Sequence, residues 1–207
     1  QQRRDLMAAD DISATITGLR EEIVLDVVQQ HIPPQSLEEQ WDVEGLQQAM
    51  LAEFASEQPI GQWLEQDGTL DEEGLVDRIL QQVDQEYAGK ETEWSNVGVD
   101  MRIVEKQIML QILDQRWKEH LATMDHLRQG IHLRAYAQKQ PKQEYKREAF
   151  ELFQELLYNI KFDVVRMLSR VQIERPEDIE AQERRRREEA PSRHSDRCWC
   201  PFRDAGP

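Results

Sequence analysis

A run of basic and aromatic side chains between residues 116 and 147 is the feature of this sequence best suited to binding a partner. Three aromatic residues, Trp117, Tyr136 and Tyr145, are interleaved with basic ones. The basic residues are Arg116, Lys118, Arg128, Arg134, Lys139, Lys142, Lys146 and Arg147. Such a surface can bind nucleic acid, lie on an anionic membrane, or contact a peptide at an exposed tip. A solvated face around an ordinary helical loop has the same composition, so the residues alone leave these interpretations open.

Motifs for nucleotide chemistry are absent from the sequence. Gly89-Lys90 is followed by Glu91, and no glycine stands five residues before Gly89, so no Gly-x-x-x-x-Gly-Lys-[Ser/Thr] loop is present. The sequence also lacks Gly-x-Gly-x-x-Gly and Gly-x-Ser-x-Gly. Nucleotide hydrolysis therefore cannot be assembled from these residues alone, and we predict no catalytic residue.

Histidines and cysteines do not form a convincing metal-ligand set. His120, His126 and His132 are six residues apart, and each step of six turns a helix by roughly 240°. The three side chains would spread around a helix, as expected for partly solvated residues. Cys198 and Cys200 with His194 give three of the four ligands that tetrahedral zinc takes. We therefore predict no metal site.

The two cysteines also bear on the cellular compartment. Both lie within the last ten residues, whereas a disulfide framework needs more cysteines that are better spread. The chain has no apolar run of 18 residues and no signal peptide at its start. These features favour a cytoplasmic chain, and the opening without a methionine suggests a fragment of something longer.

Charge divides the chain into two parts. Residues 5–100 carry 23 acidic and 3 basic side chains, a net charge of −20, whereas residues 101–170 carry 9 acidic and 13 basic, a net charge of +4. The first part would repel duplex nucleic acid, and the second could approach a polyanion or an anionic membrane. We expect the two parts to have different roles.

The periodicity of apolar residues predicts an all-α fold. Apolar positions recur at helical spacing over residues 12–32, and Pro33-Pro34 ends that helix. Ser36-Leu37-Glu38-Glu39 has the pattern of a capping box for the next helix. Pro59 then opens a short helix, and Asp71 caps a longer one.

Two longer helices follow a boundary that we place near residues 88–98. Apolar spacing persists for about nine turns from residue 100, and a second apolar series begins after Lys139-Gln140-Pro141-Lys142. This pattern predicts an antiparallel helical hairpin with a short basic loop. Trp and Met residues at helical spacing are predicted to be core: Trp41, Trp63, Trp117, Met124 and Met167. Residues 176–207 are predicted to form a charged, largely disordered tail.

Several long stretches of the sequence resemble one known family, the SecA preprotein translocase ATPases. They are Ile32 to Glu39 (IPPQSLEE), Leu110 to Leu121 (LQILDQRWKEHL), Met124 to Lys139 (MDHLRQGIHLRAYAQK) and Pro141 to Glu148 (PKQEYKRE). The resemblance covers roughly residues 1–180. It implies the end of a long scaffold helix over residues 1–10 and a helical wing domain over 11–100. Residues 101–175 would be the scaffold return with its two-helix finger.

The resemblance also implies a mechanical role in polypeptide transport. In the family the motor couples ATP-driven motion to movement of an unfolded preprotein through the SecYEG channel. The fingertip that touches the preprotein matches Tyr136, with Arg134 and Lys139 beside it. The resemblance also implies that the first helix of the finger couples to the motor and the channel, through Trp117, Lys118 and Arg128.

Cofactors and partners follow from the same resemblance. The motor domains that bind ATP and magnesium lie upstream in the family, so this fragment would hold no cofactor and would be inactive alone. Expected partners are SecYEG, preprotein, the motor domains and the anionic cytoplasmic face of the inner membrane, with no specific nucleic acid. Pro201-Phe202-Arg203 follows the cysteines where the family's zinc-binding tail reads Gly-Ser-Gly, which does not support binding of zinc or the SecB chaperone. Whether the parent protein is a homodimer stays open.

The residues alone allow two other hypotheses for the function of the chain. The chain could be a free-standing acidic helical adaptor, which the truncated first helix disfavours. It could also bind nucleic acid through residues 116–147, in which case binding would show a steep salt dependence.

Overall fold

The computed structural model describes residues 2–9, 11–68, 70–133 and 140–172, and the elements in these ranges are helical, as predicted. The α-helices are α1 (Gln2–Ala8), α2 (Ser13–His31), α3 (Val43–Phe54), α4 (Ile60–Gln66), α5 (Glu72–Asn96), α6 (Met101–Gly130) and α7 (Pro141–Arg170). Within these ranges, no helix is both long enough and apolar enough to cross a membrane. The predicted disordered tail, residues 176–207, lies outside the described residues.

The start of α3 differs from the prediction. We expected Ser36 to cap this helix, but the cap is Asp42, whose side chain accepts a hydrogen bond from the Gly45 backbone N–H at 3.0 Å. Ser36 instead accepts a hydrogen bond from the Trp41 indole N–H at 3.0 Å. The prediction was wrong because Glu38–Gln40 forms a separate 3-10 turn, and aspartate is as good an N-cap as serine.

The other predicted helix boundaries are close to those observed. Helix α2 ends at His31, just before the two prolines, and Pro59 precedes α4. Asp71 caps α5 by accepting a hydrogen bond from the Gly74 backbone N–H at 2.9 Å. Helix α5 continues to Asn96, through most of the segment where we placed the boundary between modules. The division of the chain into wing and scaffold near residue 100 stays a prediction.

Helices α2 to α5 enclose one apolar core, which a residue from α7 completes. The cluster contains Ile23, Val24, Val27, Val28, Ile32, Leu46, Met50, Phe54, Ile60, Trp63, Leu75, Ile79, Val83 and Val165. Each large side chain buried this way contributes about 1.5–3 kcal/mol relative to exposure. We call helices α2 to α5 the wing. Because Val165 belongs to this core, α7 is fixed to the wing by apolar packing.

The expectation that every regularly spaced Trp and Met is core is only partly met. Trp63 is buried, and Trp41 and Met124 are half-buried. Trp117 is 46% exposed and Met167 is 49% exposed, so for these two the prediction was wrong. Trp117 lies on the part of α6 beyond the wing, and Met167 lines the open groove between α6 and the end of α7. Periodicity identifies the apolar face of a helix without showing what covers it.

Two glycines provide a matched test of this backbone. Gly98 follows α5 with φ of +79°, whereas Gly18 lies inside α2, where an added methyl group would meet no atom within 4 Å. We expect Gly98→Ala to lower the free energy of unfolding by about 1–2 kcal/mol, because L-residues resist the left-handed conformation. Gly18→Ala should raise it by about 0.5–1 kcal/mol. Denaturant unfolding followed by circular dichroism measures both free energies of unfolding. If both substitutions changed this free energy by the same amount, the left-handed conformation of Gly98 would be contradicted.

Candidate functional site

The predicted hairpin is present as helices α6 and α7, each 30 residues long. Arg116 in α6 pairs with Asp163 in α7, while His120, further along α6, lies against Phe153, nearer the start of α7. The pairing therefore runs antiparallel. The Arg116 Nε donates to Asp163 Oδ2 at 2.5 Å and its Nη1 contacts Glu119 Oε2 at 3.0 Å. The bond to Asp163 raises the pKa of Arg116, so a charged link joins the two arms.

Beyond this link, the hairpin exposes several large apolar side chains. They are Trp117, Leu121, Phe150, Phe153 and Leu157, which we call the hairpin patch. These side chains are between 39% and 61% exposed. The His120 ring lies between those of Trp117 and Phe153, with centroid distances of 5.7 and 6.1 Å. Exposed aromatic and aliphatic side chains beside these ring contacts make this part of the hairpin a candidate interaction surface.

A groove of about 470 Å³ lies between the first half of α6 and the end of α7. It is lined by Gln111, Ile112, Gln115, Arg116, Glu119, Asp163, Arg166, Met167 and Arg170. Its arginines already have partners: besides the Arg116 pairs, Arg166 contacts Glu53 at 3.0 Å and Arg170 donates to the Ala52 carbonyl. The groove therefore offers no unpaired cation, and we assign it no ligand.

The predicted contact residues fall in two groups. Arg134, Tyr136 and Lys139 lie outside the described residues, in the connection between α6 and α7. Trp117, Lys118 and Arg128 lie on α6 and are exposed. Trp117 is part of the hairpin patch with Lys118 next to it, whereas Arg128 is about 15 Å further along the helix and contacts Asp125 at 3.3 Å. The structure thus brings Trp117 and Lys118 together and places Arg128 apart.

Histidine positions agree with the interpretation drawn from their spacing. His126 and His132 are exposed, and His120 is half-buried between aromatic rings. Among residues that the structure describes, no three His, Cys, Asp or Glu side chains are placed to hold a metal ion. Cys198, Cys200 and the rest of the tail lie outside those residues.

Sequence reasoning missed a buried ionisable pair at the base of the hairpin. Glu105 is 0% exposed, and its Oε1 accepts a hydrogen bond from the Tyr87 hydroxyl of α5 at 2.7 Å. Its Oε2 lies 3.1 Å from Nη1 of Arg102. Burial raises the pKa of both Glu105 and Tyr87. A signal was available, because a carboxylate interrupts one apolar face of α6: Met101, Glu105, Ile108 and Ile112.

Comparison with known proteins identifies the family of the chain. The family model described as SecA Wing and Scaffold domain matches residues 1–172. The chain is 54% identical over 188 residues to the protein translocase subunit SecA of Nitrosococcus oceani, covering 90% of this chain and 20% of the relative. The corresponding subunit of Alcanivorax borkumensis is 48% identical over 190 residues, covering 91% and 21%. That of Pseudomonas putida is 52% identical over 187 residues, covering 90% and 20%.

The matches to these relatives cover about nine tenths of this chain. The chain spans about a fifth of the length of the curated relatives it matches. The family model extends from the first residue to the end of α7 and so includes both the wing and the hairpin. Because the family model matches residues 1–172 and the relatives are 48–54% identical over about nine tenths of the chain, the chain belongs to the SecA wing and scaffold family.

Proposed function

We propose that this chain is the wing and two-helix finger of a protein translocase motor subunit, and that its hairpin is the element that contacts the moving polypeptide. One observation carries the proposal: the hairpin is anchored in the wing core at one end and exposes an apolar patch beyond that anchor. The relatives named protein translocase subunit SecA support the assignment to polypeptide transport.

The anchor explains how the hairpin could transmit movement. Val164, Val165 and Leu168, near the end of α7, are buried. The Lys90 ammonium of α5 donates to the carbonyls of Leu168 and Ser169. Helices of 30 residues form an arm about 45 Å long. A displacement of the wing would therefore move the far end of the hairpin, and a load on that end would reach the wing.

The connecting segment is the proposed contact with substrate. Tyr136, flanked by Arg134 and Lys139, would meet an unfolded preprotein at the mouth of the SecYEG channel. An aromatic ring with neighbouring cations can contact many side chains without requiring one sequence. This property suits a transporter of varied polypeptides.

Coupling to the motor is assigned to the hairpin patch and its surroundings. Trp117 and Lys118 would contact the motor domains or channel, with Arg128 further along the same helix. ATP and magnesium would be bound by those motor domains, because this sequence has no phosphate loop. The assembled subunit would act on the cytoplasmic face of the inner membrane, where basic residues of the hairpin favour an anionic surface.

Disulfide cross-linking tests the substrate contact. We expect Tyr136→Cys, in a complete subunit freed of native cysteines, to form an adduct with a single-cysteine preprotein stalled in SecYEG. Gln48→Cys is the control, because Gln48 is exposed on α3 of the wing. Adducts at residue 48 but none at residue 136 would contradict the contact while leaving the family assignment intact.

Affinity measurement tests the hairpin patch. Trp117→Ala should weaken binding of this chain to the separately produced motor portion of the subunit by at least about tenfold, as expected for a buried interface tryptophan. The matched control is Leu37→Ala, since Leu37 is 70% exposed but lies on the wing. Isothermal titration calorimetry measures both, and equal affinities for the two variants would exclude the patch as the contact.

A further inference from the structure

Two glutamates of α6 have the same kind of arginine partner but opposite surroundings. Glu119 follows Arg116 by three residues, and its Oε2 lies 3.0 Å from Arg116 Nη1. Glu105 follows Arg102 by three residues, and its Oε2 lies 3.1 Å from Arg102 Nη1. The Glu119 side chain is 48% exposed, whereas that of Glu105 is 0% exposed. Helix α6 therefore carries the same ion pair twice, once in contact with solvent and once with a buried carboxylate.

The buried pair lies in an excess of negative charge. The Arg102 guanidinium is shared by three carboxylates: Glu91 at 2.8 Å, Glu105 at 3.1 Å and Asp11 at 3.9 Å. One positive charge against three negative ones leaves a net charge of −2 when every group is ionised. Such a group of charges attracts a further cation, and the smallest cation available in water is a proton.

Two other neighbours of this group, Tyr87 and Arg20, do not supply the missing positive charge. The Tyr87 hydroxyl of α5 donates to Glu105 Oε1 at 2.7 Å, and burial raises the pKa of Tyr87, so this hydroxyl keeps its proton. The Arg20 guanidinium of α2 lies 4.2 Å from the centre of the Tyr87 ring. Arg20 also donates to Asp84 at 2.6 Å, so its charge is matched by another carboxylate.

The Oε2 atom of Glu105 is the place for that proton. It is buried and accepts no hydrogen bond from the described residues, although it keeps its ion pair with Arg102. Burying an incompletely bonded carboxylate is unfavourable, and a proton removes its charge. Burial accordingly raises the pKa of Glu105. A hydrogen on Oε2 would point at the N–H groups of Arg102, so the proton and the guanidinium compete for one atom.

We propose that Glu105 is a proton-binding site where α5 meets α6, and that its proton displaces Arg102 from Oε2. In the ionised state, Arg102 divides its charge between Glu105 of its own helix and its other partners. In the protonated state Glu105 is neutral, and Arg102 pairs with Glu91 of α5 and with Asp11, which lies between α1 and α2. Acidification thus transfers Arg102 from a contact within α6 to contacts between α6 and its neighbours. This inference goes beyond the proposed function, because it concerns a pH-sensitive device rather than what the hairpin contacts.

Carbon-13 NMR of the full chain, labelled at the glutamate carboxyl carbons, measures both glutamates in one titration. Glu105→Gln and Glu119→Gln identify the two signals by their loss. We expect Glu105 to titrate above the ordinary glutamate value of 4.5, because burial opposes its charge. Glu119, the matched control, should titrate below 4.5, because hydrogen bonds from Gln115 and Arg116 stabilise its charge. If the Glu105 signal stays that of a carboxylate down to pH 4.5, or until the chain unfolds, the proposal is overturned.

Two substitutions should move the Glu105 titration in opposite directions. Tyr87→Phe removes a hydrogen bond that stabilises the carboxylate, so it should raise the pKa of Glu105. Glu91→Gln removes a negative charge that opposes ionisation, so it should lower that pKa. Shifts in the same direction, or none, would show that these neighbours do not control the proton.

The stability of the chain should show the same proton. A carboxyl group whose pKa is raised by folding contributes stability at low pH, and this contribution is lost as the pH rises through the folded-state pKa. The free energy of unfolding should therefore fall, relative to that of Glu105→Gln, as the pH rises from 4.5 towards neutrality. A relative increase would show that folding does not favour the protonated form.

A double-mutant cycle tests the transfer of Arg102. Arg102→Gln and Glu91→Gln, alone and together, give the coupling free energy between these two side chains from denaturant unfolding. At neutral pH we expect this coupling to be larger in a Glu105→Gln background, whose amide stands in for the protonated acid. A Glu119→Gln background should leave it unchanged. Equal coupling in the two backgrounds would overturn the exchange of partners. If Glu105→Gln does not fold, the cycle measured above and below the Glu105 titration decides.

Discussion

Helix α7 packs against both the wing and helix α6, and the rest of the structure depends on these two sets of contacts. One face supplies Val165 to the wing core, with Phe162 packed beside it, and another supports α6. The ends of helices are tied together at the same place, because Lys90 of α5 binds the last carbonyls of α7 while Arg170 of α7 binds a carbonyl at the end of α3. Burial lowers the pKa of Lys90, and the α7 carbonyls provide the negative end of a helix dipole for its charge.

The two arms of the hairpin are consequently held by different forces. Helix α7 is fixed by apolar burial, which is strong and is not screened by salt as ion pairs are. Its exposed ion pairs to the wing, such as Lys161 with Glu22 at 2.6 Å, add little. Helix α6 relies on the polar contacts of Glu105 at its start and on partial burial against α7.

Much of this architecture could be predicted from the sequence. The spacing of apolar residues located the two long helices, and Pro33, Pro59 and Asp71 marked boundaries because each has a local conformational effect. Local patterns could not rank Ser36 against Asp42 as a cap, since both are good caps and the intervening 3-10 turn decides between them. Nor could spacing show that Trp117 is exposed, because exposure depends on which other helices are near. Glu105 was overlooked for a similar reason: its burial arises from α5, which is distant in sequence from the α6 pattern.

Hydrogen exchange of the intact chain, read by mass spectrometry at the peptide level, tests most directly the claim that α7 anchors the hairpin in the wing. Amide exchange resolves how strongly each helix is held in the native state. The account predicts that the end of α7, around Val164 to Leu168, exchanges as slowly as the wing helices α2 and α5. The part of α6 beyond Trp117 should exchange faster. If the whole of α7 exchanged together with α6 and well before the wing, the hairpin would be an independent unit and the anchored arm would be contradicted.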